Sequence, residues 1–360
     1  MNKQKHLHLI IMIITLFLTN PSFSQGNEDT LKIPDILNRS AIKSHKASNS
    51  VLLSVVNTGN RLFAAGERGI ILSSDDNGLK WKQVSVPTSI NLTSLEFTDD
   101  KNGWATGHMG VILNTKDGGS TWAKQLDGIQ AAQLAVKSVA GSENKSAIKE
   151  ANFLVSDGPD KPFFDIDMQA DGHGIAVGAF NLAFETHDFG KTWCYLSPNI
   201  DNKLNKHLYQ VKKVKDGYLI LGEQGLILYS KDNGQSFQTL TSPYSGSWFG
   251  FLVTSNDAWI AYGLKGNVYV SYNQGQDWLK MISNTEASIS AATELSDGTL
   301  ILATQAGELL AGNKNSGTFN VVKQLHGFPV TSIDEAKSGD LIVTGLRGVI
   351  NVNKKNIIKQ

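Results

Sequence analysis

A chain of 360 residues with 33 basic and 33 acidic side chains carries no bulk charge. That balance excludes non-specific nucleic-acid binding, which needs a basic stripe. Cys194 is the only cysteine, so no intramolecular disulfide can form, and an exported form must rest on packing and strand pairing.

Residues 1–24 read as a signal peptide. Lys3 and Lys5 form a basic n-region, Leu9 to Leu18 an apolar h-region, and Ser22-Phe23-Ser24 offers small residues at the cleavage positions. The apolar run is short of the roughly 20 residues that a membrane span needs. The mature protein is therefore expected in the periplasm or outside the cell and not as a membrane-spanning chain. No cysteine follows the cleavage site, which argues against a lipoprotein signal. Without the two lysines the formal charge is −2.

Residues 25–50 are polar and weakly periodic, except that Ala41 to Ala47 reads as one extended strand. The first full repeat runs from Val51 to Val86. Val51 to Val56 is its first strand, and Asn57-Thr58-Gly59-Asn60 its hairpin turn. Arg61 to Ala65 is its second strand, and Gly66-Glu67-Arg68-Gly69 a corner. Ile70 to Ser74 is the third, and a polar turn ending at Trp81 leads to the fourth. The frame from corner to aromatic recurs at a constant step of fifteen residues: Gly66 to Trp81, Gly107 to Trp122, Gly178 to Trp193, Gly222 to Phe237, Gly263 to Trp278 and Thr304 to Phe319. A seventh corner, Gly345-Leu346-Arg347-Gly348, has its fifteenth residue at Gln360. Self-similarity at a period of about 40 residues marks a propeller or a solenoid.

Further repeats follow at Leu92 to Gln125, Phe163 to Leu196, His207 to Leu240, Trp248 to Met281, Ile289 to Val322 and Val330 to Asn353. The sixth blurs its polar turn, and the seventh stops after strand three. The surplus between repeats two and three, about 127–161, contains Ile129 to Val136 and Lys145 to Leu154. Both are rich in Ala, Gln and Lys, with an apolar stripe, and read as a helical insertion.

Each four-stranded sheet has apolar residues on both faces and cannot stand alone in water. Radial stacking covers both faces. An open stack needs polar caps, and none is visible. The seventh repeat lacks a fourth strand while residues 25–50 carry a spare one. The expected fold is therefore an all-β, seven-bladed propeller of four-stranded antiparallel blades over 51–360. The N-terminal segment is expected to close blade seven as its outer strand.

The polar turns share the pattern S/T-x-D-x-G-x-x-W/F. Their residues are Asp76, Gly78 and Trp81; Asp117, Gly119 and Trp122; Asp188, Gly190 and Trp193; and Asp232, Gly234 and Phe237. In the fifth copy Asn273 replaces Asp, followed by Gly275 and Trp278. The acid can bond its own turn's amides, Gly takes positive φ, and the aromatic packs between blades. Similar turns spread around a rim cannot converge on one ligand, so these residues are expected to be structural.

These turns are similar to the Asp-box, or BNR, repeats of sialidases and of several non-enzymatic propellers. Gly103 to Gly110, GWATGHMG, followed by Thr115 to Trp122, TKDGGSTW, resembles the photosystem II stability/assembly factor family. That resemblance implies an exported, non-catalytic, seven-bladed propeller that helps to assemble a membrane-protein complex, and the chain is expected to act as a monomer. Bacterial members without photosynthesis often occur beside exporters of the resistance-nodulation-division type. The 127–161 insertion departs from the photosynthetic members. The other expectation is a carbohydrate-active propeller, a glycan binder or sialidase-like hydrolase. The sialidase resemblance implies three arginines on one carboxylate. Of the four here, Arg39 lies before the repeats and Arg61 starts a second strand, so only Arg68 and Arg347 share the corner position.

The corners differ from blade to blade. They read Glu67-Arg68, His108-Met109, Ala179-Phe180, Glu223-Gln224, Leu264-Lys265, Gln305-Ala306 and Leu346-Arg347. The expected partner contacts are Arg68, Arg347, Lys265, His108, Glu67 and Glu223; solvated loop charges fit them equally well. His45, His108, His173, His187, His207 and His326 are scattered without metal-ligand spacing. No catalytic residue, metal or cofactor is expected. Cys194 is expected to be a small buried hydrophobe.

Overall fold

The computed structural model describes residues 34–313 and 316–357. The signal-peptide reading of 1–24 lies outside the described residues.

Seven antiparallel sheets follow one another, each with its strands in chain order from the axis outward. The inner strands are Leu52–Asn57, Leu92–Phe97, Phe163–Met168, Leu208–Val214, Trp248–Val253, Ile289–Glu294 and Val330–Glu335. Each packs against the next, and the last packs against the first, so the ring is closed. The protein is a seven-bladed β-propeller of antiparallel blades, four-stranded in blades one to six, with two α-helices among the described residues. Second strands such as Leu62–Gly66 and Leu341–Gly345 are buried along their whole length. Outer strands are as short as Lys82–Gln83 and Gln238–Thr239, which keeps the exposed edges small.

The inner strands pose the opposite problem, because they are edges facing the axial channel. Side chains from the preceding blade cover their amides. Leu95 N–H donates to Ser54 Oγ (3.1 Å), Val211 N–H to Asp165 Oδ2 (3.1 Å), Phe251 N–H to Gln210 Oε1 (2.6 Å) and Val55 N–H to Ser332 Oγ (3.3 Å). The same position in blade five is Gly250. An added Cβ there would stand 2.6 Å from the hydroxyl of Tyr262, which reaches through the gap and accepts from Ala292 N–H. An orphan amide in a buried edge costs a hydrogen bond. These residues thus satisfy the edge and set the order of blades.

The polar turns have one geometry. In blade two Thr115 Oγ1 donates to Asp117 Oδ1 (2.8 Å) and accepts from Gly119 N–H (2.9 Å), while Asp117 Oδ1 accepts from Thr121 N–H (2.9 Å). The same bonds recur around Asp76, Asp188 and Asp232, and Asn273 substitutes by accepting from Asp277 N–H. Hydrogen bonds to Thr121 hold the Asp117 carboxyl below its ordinary range. Gly119 has φ 76°, and a Cβ would meet the Phe63 ring at 2.4 Å, so each turn seats against the preceding blade. Trp122, Trp193 and Phe237 are buried, whereas Trp81 and Trp278 are half-buried.

The insertion between blades two and three forms α1, Gly128–Ser138, and α2, Lys145–Asp157. Asp127 and Gln130 form a capping box on α1, and Asn144 caps α2. Ala131, Ala135, Ala147 and Ala151 are buried with Trp193 and Leu182, where small residues let the helices approach the blades.

Two expectations need correction. Residues 41–47 form no strand, and blade seven has three strands among the described residues. Ala41 N–H donates to Val86 O, and Gln83 Nε2 to Ile42 O, so the segment lies along blade one's outer side. Leu37 is buried between blades one and two, and the turn Ala47–Asn49 packs on Gly348–Val352 of blade seven. The closing element is a strap across the seam. The seam itself is held by Thr331 Oγ1 donating to Leu52 O (2.6 Å) and Asn57 N–H donating to Asp334 Oδ2 (2.7 Å). Cys194, on the two-residue outer strand of blade three, is exposed and not buried, because that strand turns its side chain outward. Burial of part of the thiol and nearby Glu185 raise its pKa, which favours the unreactive thiol.

Candidate functional site

Strand pairing defines two ends of the ring. Leu52 pairs with Gly66, so the corners share a face with the starts of the inner strands. Leu62 pairs with Ser74, so the polar turns lie on the opposite face. In blades one to five the second corner residue is left-handed: Arg68, Met109, Phe180, Gln224 and Lys265 have φ between 51° and 59°. The residue after it, Gly69, Gly110, Asn181, Gly225 or Gly266, also has positive φ, whereas in blades six and seven only that later position, Gly307 or Gly348, does.

Arg68, His108 and Lys265 are exposed on this face, as is Arg347, whose guanidinium lies beside Gly327 at the seam with blade six. Arg68 N–H donates to Asn91 Oδ1 and His108 N–H to Asn91 O, so both corners are fixed to the following linker. Partial burial lowers the His108 pKa. Glu67 and Glu223 have structural work: Glu67 Oε1 accepts from Val51 N–H (3.0 Å) and Glu223 Oε2 from His207 N–H (3.2 Å). Arg61 lies on the other face, donating to Asp75 Oδ1 (2.6 Å) and Gly118 O (3.0 Å), and Arg39 pairs with Asp35. Among the described residues no three-arginine clamp forms.

Every inner strand has a bulge at its second residue, in order Leu53, Thr93, Phe164, Tyr209, Phe249, Ser290 and Thr331. A bulge re-aims its side chain, and several of these line a recess of about 710 Å³ at the channel mouth, with Leu346 on its edge. Three neighbouring blades supply aromatics there. Phe164 and Tyr209 have centroids 5.6 Å apart, Tyr209 and Phe249 6.1 Å, and Phe180 and His207 4.6 Å, with His207 also against Phe164 at 6.1 Å. Phe180 N–H donates to His207 Nδ1, and the Phe180 ring is 60% exposed. The spacing along the chain does not mark this ribbon. Its signal is an aromatic at one register position of consecutive blades, visible only once the bulge fixes that register.

Deeper in the channel Lys212 Nζ lies 3.1 Å from Glu96 Oε1 and 3.2 Å from Asp167 Oδ2. Burial pushes the Glu96 pKa up to about 7 against the pull of Lys212, and that of Asp165 to about 6. Burial opposes the Lys212 charge, but Glu96, Asp167 and Asp165 outweigh it and raise its pKa. Asp165 accepts from Ser94 Oγ and Val211 N–H, and Asp167 from Lys213 N–H. The carboxylates thus brace inner strands.

The expectation that the histidines are scattered also needs correction. Gly174 pairs with Thr186, which places His173 opposite His187 at the polar-turn end of blade three. Their rings stack with centroids 4.6 Å apart, and Glu185 is beside them.

The family described as photosynthesis system II assembly factor YCF48 matches residues 77–154 and 154–315. The chain belongs to this family. Photosystem II assembly lipoprotein Ycf48 of Synechococcus sp. (strain CC9902) is 23% identical over 150 residues, 41% of this chain and 45% of that protein. The match thus spans less than half of that curated relative. A structure of YCF48 bound to D1 peptide has a TM-score of 0.64 at 14% identity, covering 87% of this chain and 98% of that one. YCF48 from Cyanidioschyzon merolae gives 0.63 at 14%, covering 86% and 97%. Virginiamycin B lyase from Staphylococcus aureus gives 0.64 at 13%, covering 87% and 97%. An enzyme and an assembly factor are equally similar in fold, so function has to be read from the site.

Proposed function

We propose that this YCF48-family protein is an exported, non-enzymatic accessory factor that captures an extended segment of a membrane-protein partner on its corner face. The observation that carries this reading is the aromatic ribbon at the channel mouth, Phe180, His207, Phe164, Tyr209 and Phe249. Half-exposed aromatics concentrated at one end of a propeller match apolar side chains of a peptide. Arg68 and Arg347, on the blades beyond the mouth, add anchors for a carboxylate of the same segment. Lys265 and His108 extend the contact, while Glu67 and Glu223 shape it by holding the corners. The relative solved with a D1 peptide supports a peptide as the class of ligand.

The partner is an assembled membrane complex other than a photosystem, since the 127–161 insertion departs from the photosynthetic members. An exporter of the resistance-nodulation-division type is the partner class this reading favours. The factor works as a periplasmic or secreted monomer without cofactor. The absence of a three-arginine clamp among the described residues, and the bracing role of the channel carboxylates, weigh against the glycan-hydrolase alternative.

The test is quantitative recovery from detergent-solubilised membranes of the producing cell. Wild-type bait should enrich one membrane complex. Tyr209→Ala with Phe249→Ala, and separately Arg68→Glu with Arg347→Glu, should each lower its recovery about tenfold or more. The arginine variant should melt like wild type, because exposed charges contribute within about 0.5 kcal/mol. Equal recovery by both variants would place the contact elsewhere.

A further inference from the structure

His173, Glu185 and His187 come from three different parts of blade three: the end of the first hairpin, the third strand and the polar turn. One ring nitrogen of each histidine and one Glu185 oxygen all lie within 4.8 Å of one another. His173 is only 4% exposed, and its Nε2 is buried with no hydrogen-bond partner. Glu185 Oε2 is also buried without a hydrogen bond, 3.5 Å from His187 Nε2. Leaving two such atoms without a hydrogen bond costs desolvation. His187 is exposed, so the group opens to solvent on one side.

We propose that these three residues form a binding site for a first-row divalent metal ion, with Zn2+ as its simplest occupant. Two imidazoles and a carboxylate are a sufficient ligand set for zinc with one position left open. His173 is already oriented from behind. Its Nδ1 lies 3.1 Å from the Tyr218 hydroxyl, which is the outer contact that fixes a ligating histidine. Zinc bonds of about 2.0–2.2 Å require the donor atoms to draw together by about 1 Å. His187 is placed to supply that movement, since its side chain is exposed while His173 stays packed. The fourth position faces solvent at the polar-turn end and takes water or a carboxylate or imidazole from outside. The site is at the opposite end of the ring from the corners and is independent of the partner reading.

The test is a Zn2+ titration of tag-free, chelator-stripped full-length protein in competition with a chromogenic zinc indicator. Wild type should take up one equivalent with micromolar or tighter affinity. His187→Ala and Glu185→Gln should each weaken it about tenfold or more, with far-UV circular dichroism unchanged because His187 is exposed and Gln keeps the shape of the Glu185 side chain. His45→Ala with His326→Ala, both exposed and outside the group, should bind like wild type. No uptake by wild type, unchanged uptake in both site variants, or uptake lost only in the His45/His326 variant would each overturn the proposal.

Discussion

Trp122 is 7% exposed and stands edge-on to Phe97, with ring centroids 6.0 Å apart, in the cluster shared by blades one and two. Truncation there removes a large apolar side chain from a seam that cannot collapse without moving a blade. Trp122→Ala is expected to cost about 3–5 kcal/mol in urea denaturation. A cost below about 1 kcal/mol would mean that the aromatics do not hold the blades together. Glu96 tests the channel. Its folded pKa, about 7, is above the value in the unfolded chain, so its contribution is fully present below pH 4 and is lost as the pH rises through 7. Asp165 and Asp334, both raised to about 6 by burial, act with the same sign. Wild type should therefore lose stability between pH 5 and pH 8. Glu96→Gln should reduce that loss by roughly 1–2 kcal/mol, discounted for the channel's access to water. An unchanged pH dependence would show that Glu96 is ionised throughout.

At the scale of the element, the inner strand is where blades recognise one another. Gln210 covers the Phe251 amide at 2.6 Å and faces Gly250, which leaves room for Tyr262 to cover the next amide. Gln210→Ala leaves that amide without its partner and is expected to cost about 1–2 kcal/mol by thermal or urea unfolding. A neutral effect would assign the amide to water. The fifteen-residue frame made the strands, the polar turns and both insertion helices legible, because each depends on local chemistry: a capping oxygen, a positive-φ glycine, an aromatic, an alanine stripe. The closing strand was not legible. Residues 41–47 contain one strongly apolar side chain, Ile42, and it is 76% exposed, so the segment has no apolar face to commit it to a sheet. Its amides go to Val86 O and the Gln83 side chain instead. The aromatic ribbon and the histidine pair were hidden for a different reason. The first depends on a bulge and the second on pairing of strands, and neither register is written in the spacing along the chain.

For the whole molecule, the two ends of the ring differ in kind. The polar-turn end repeats one bonding pattern around most of its circumference, whereas the corner end varies its side chains in every blade and gathers aromatics over blades three to five. The proposed docking site follows from that asymmetry. The most direct measurement is photo-crosslinking in living cells, with a benzophenone amino acid placed at Phe180 on the corner face or at Leu79 on the polar-turn face. Phe180 is 60% and Leu79 74% exposed, so both positions accept the probe without disturbing the core. A crosslink is expected from Phe180 to a membrane-protein subunit and none to that subunit from Leu79. A crosslink to it from Leu79, with Phe180 silent, would place the docking surface on the polar-turn face instead.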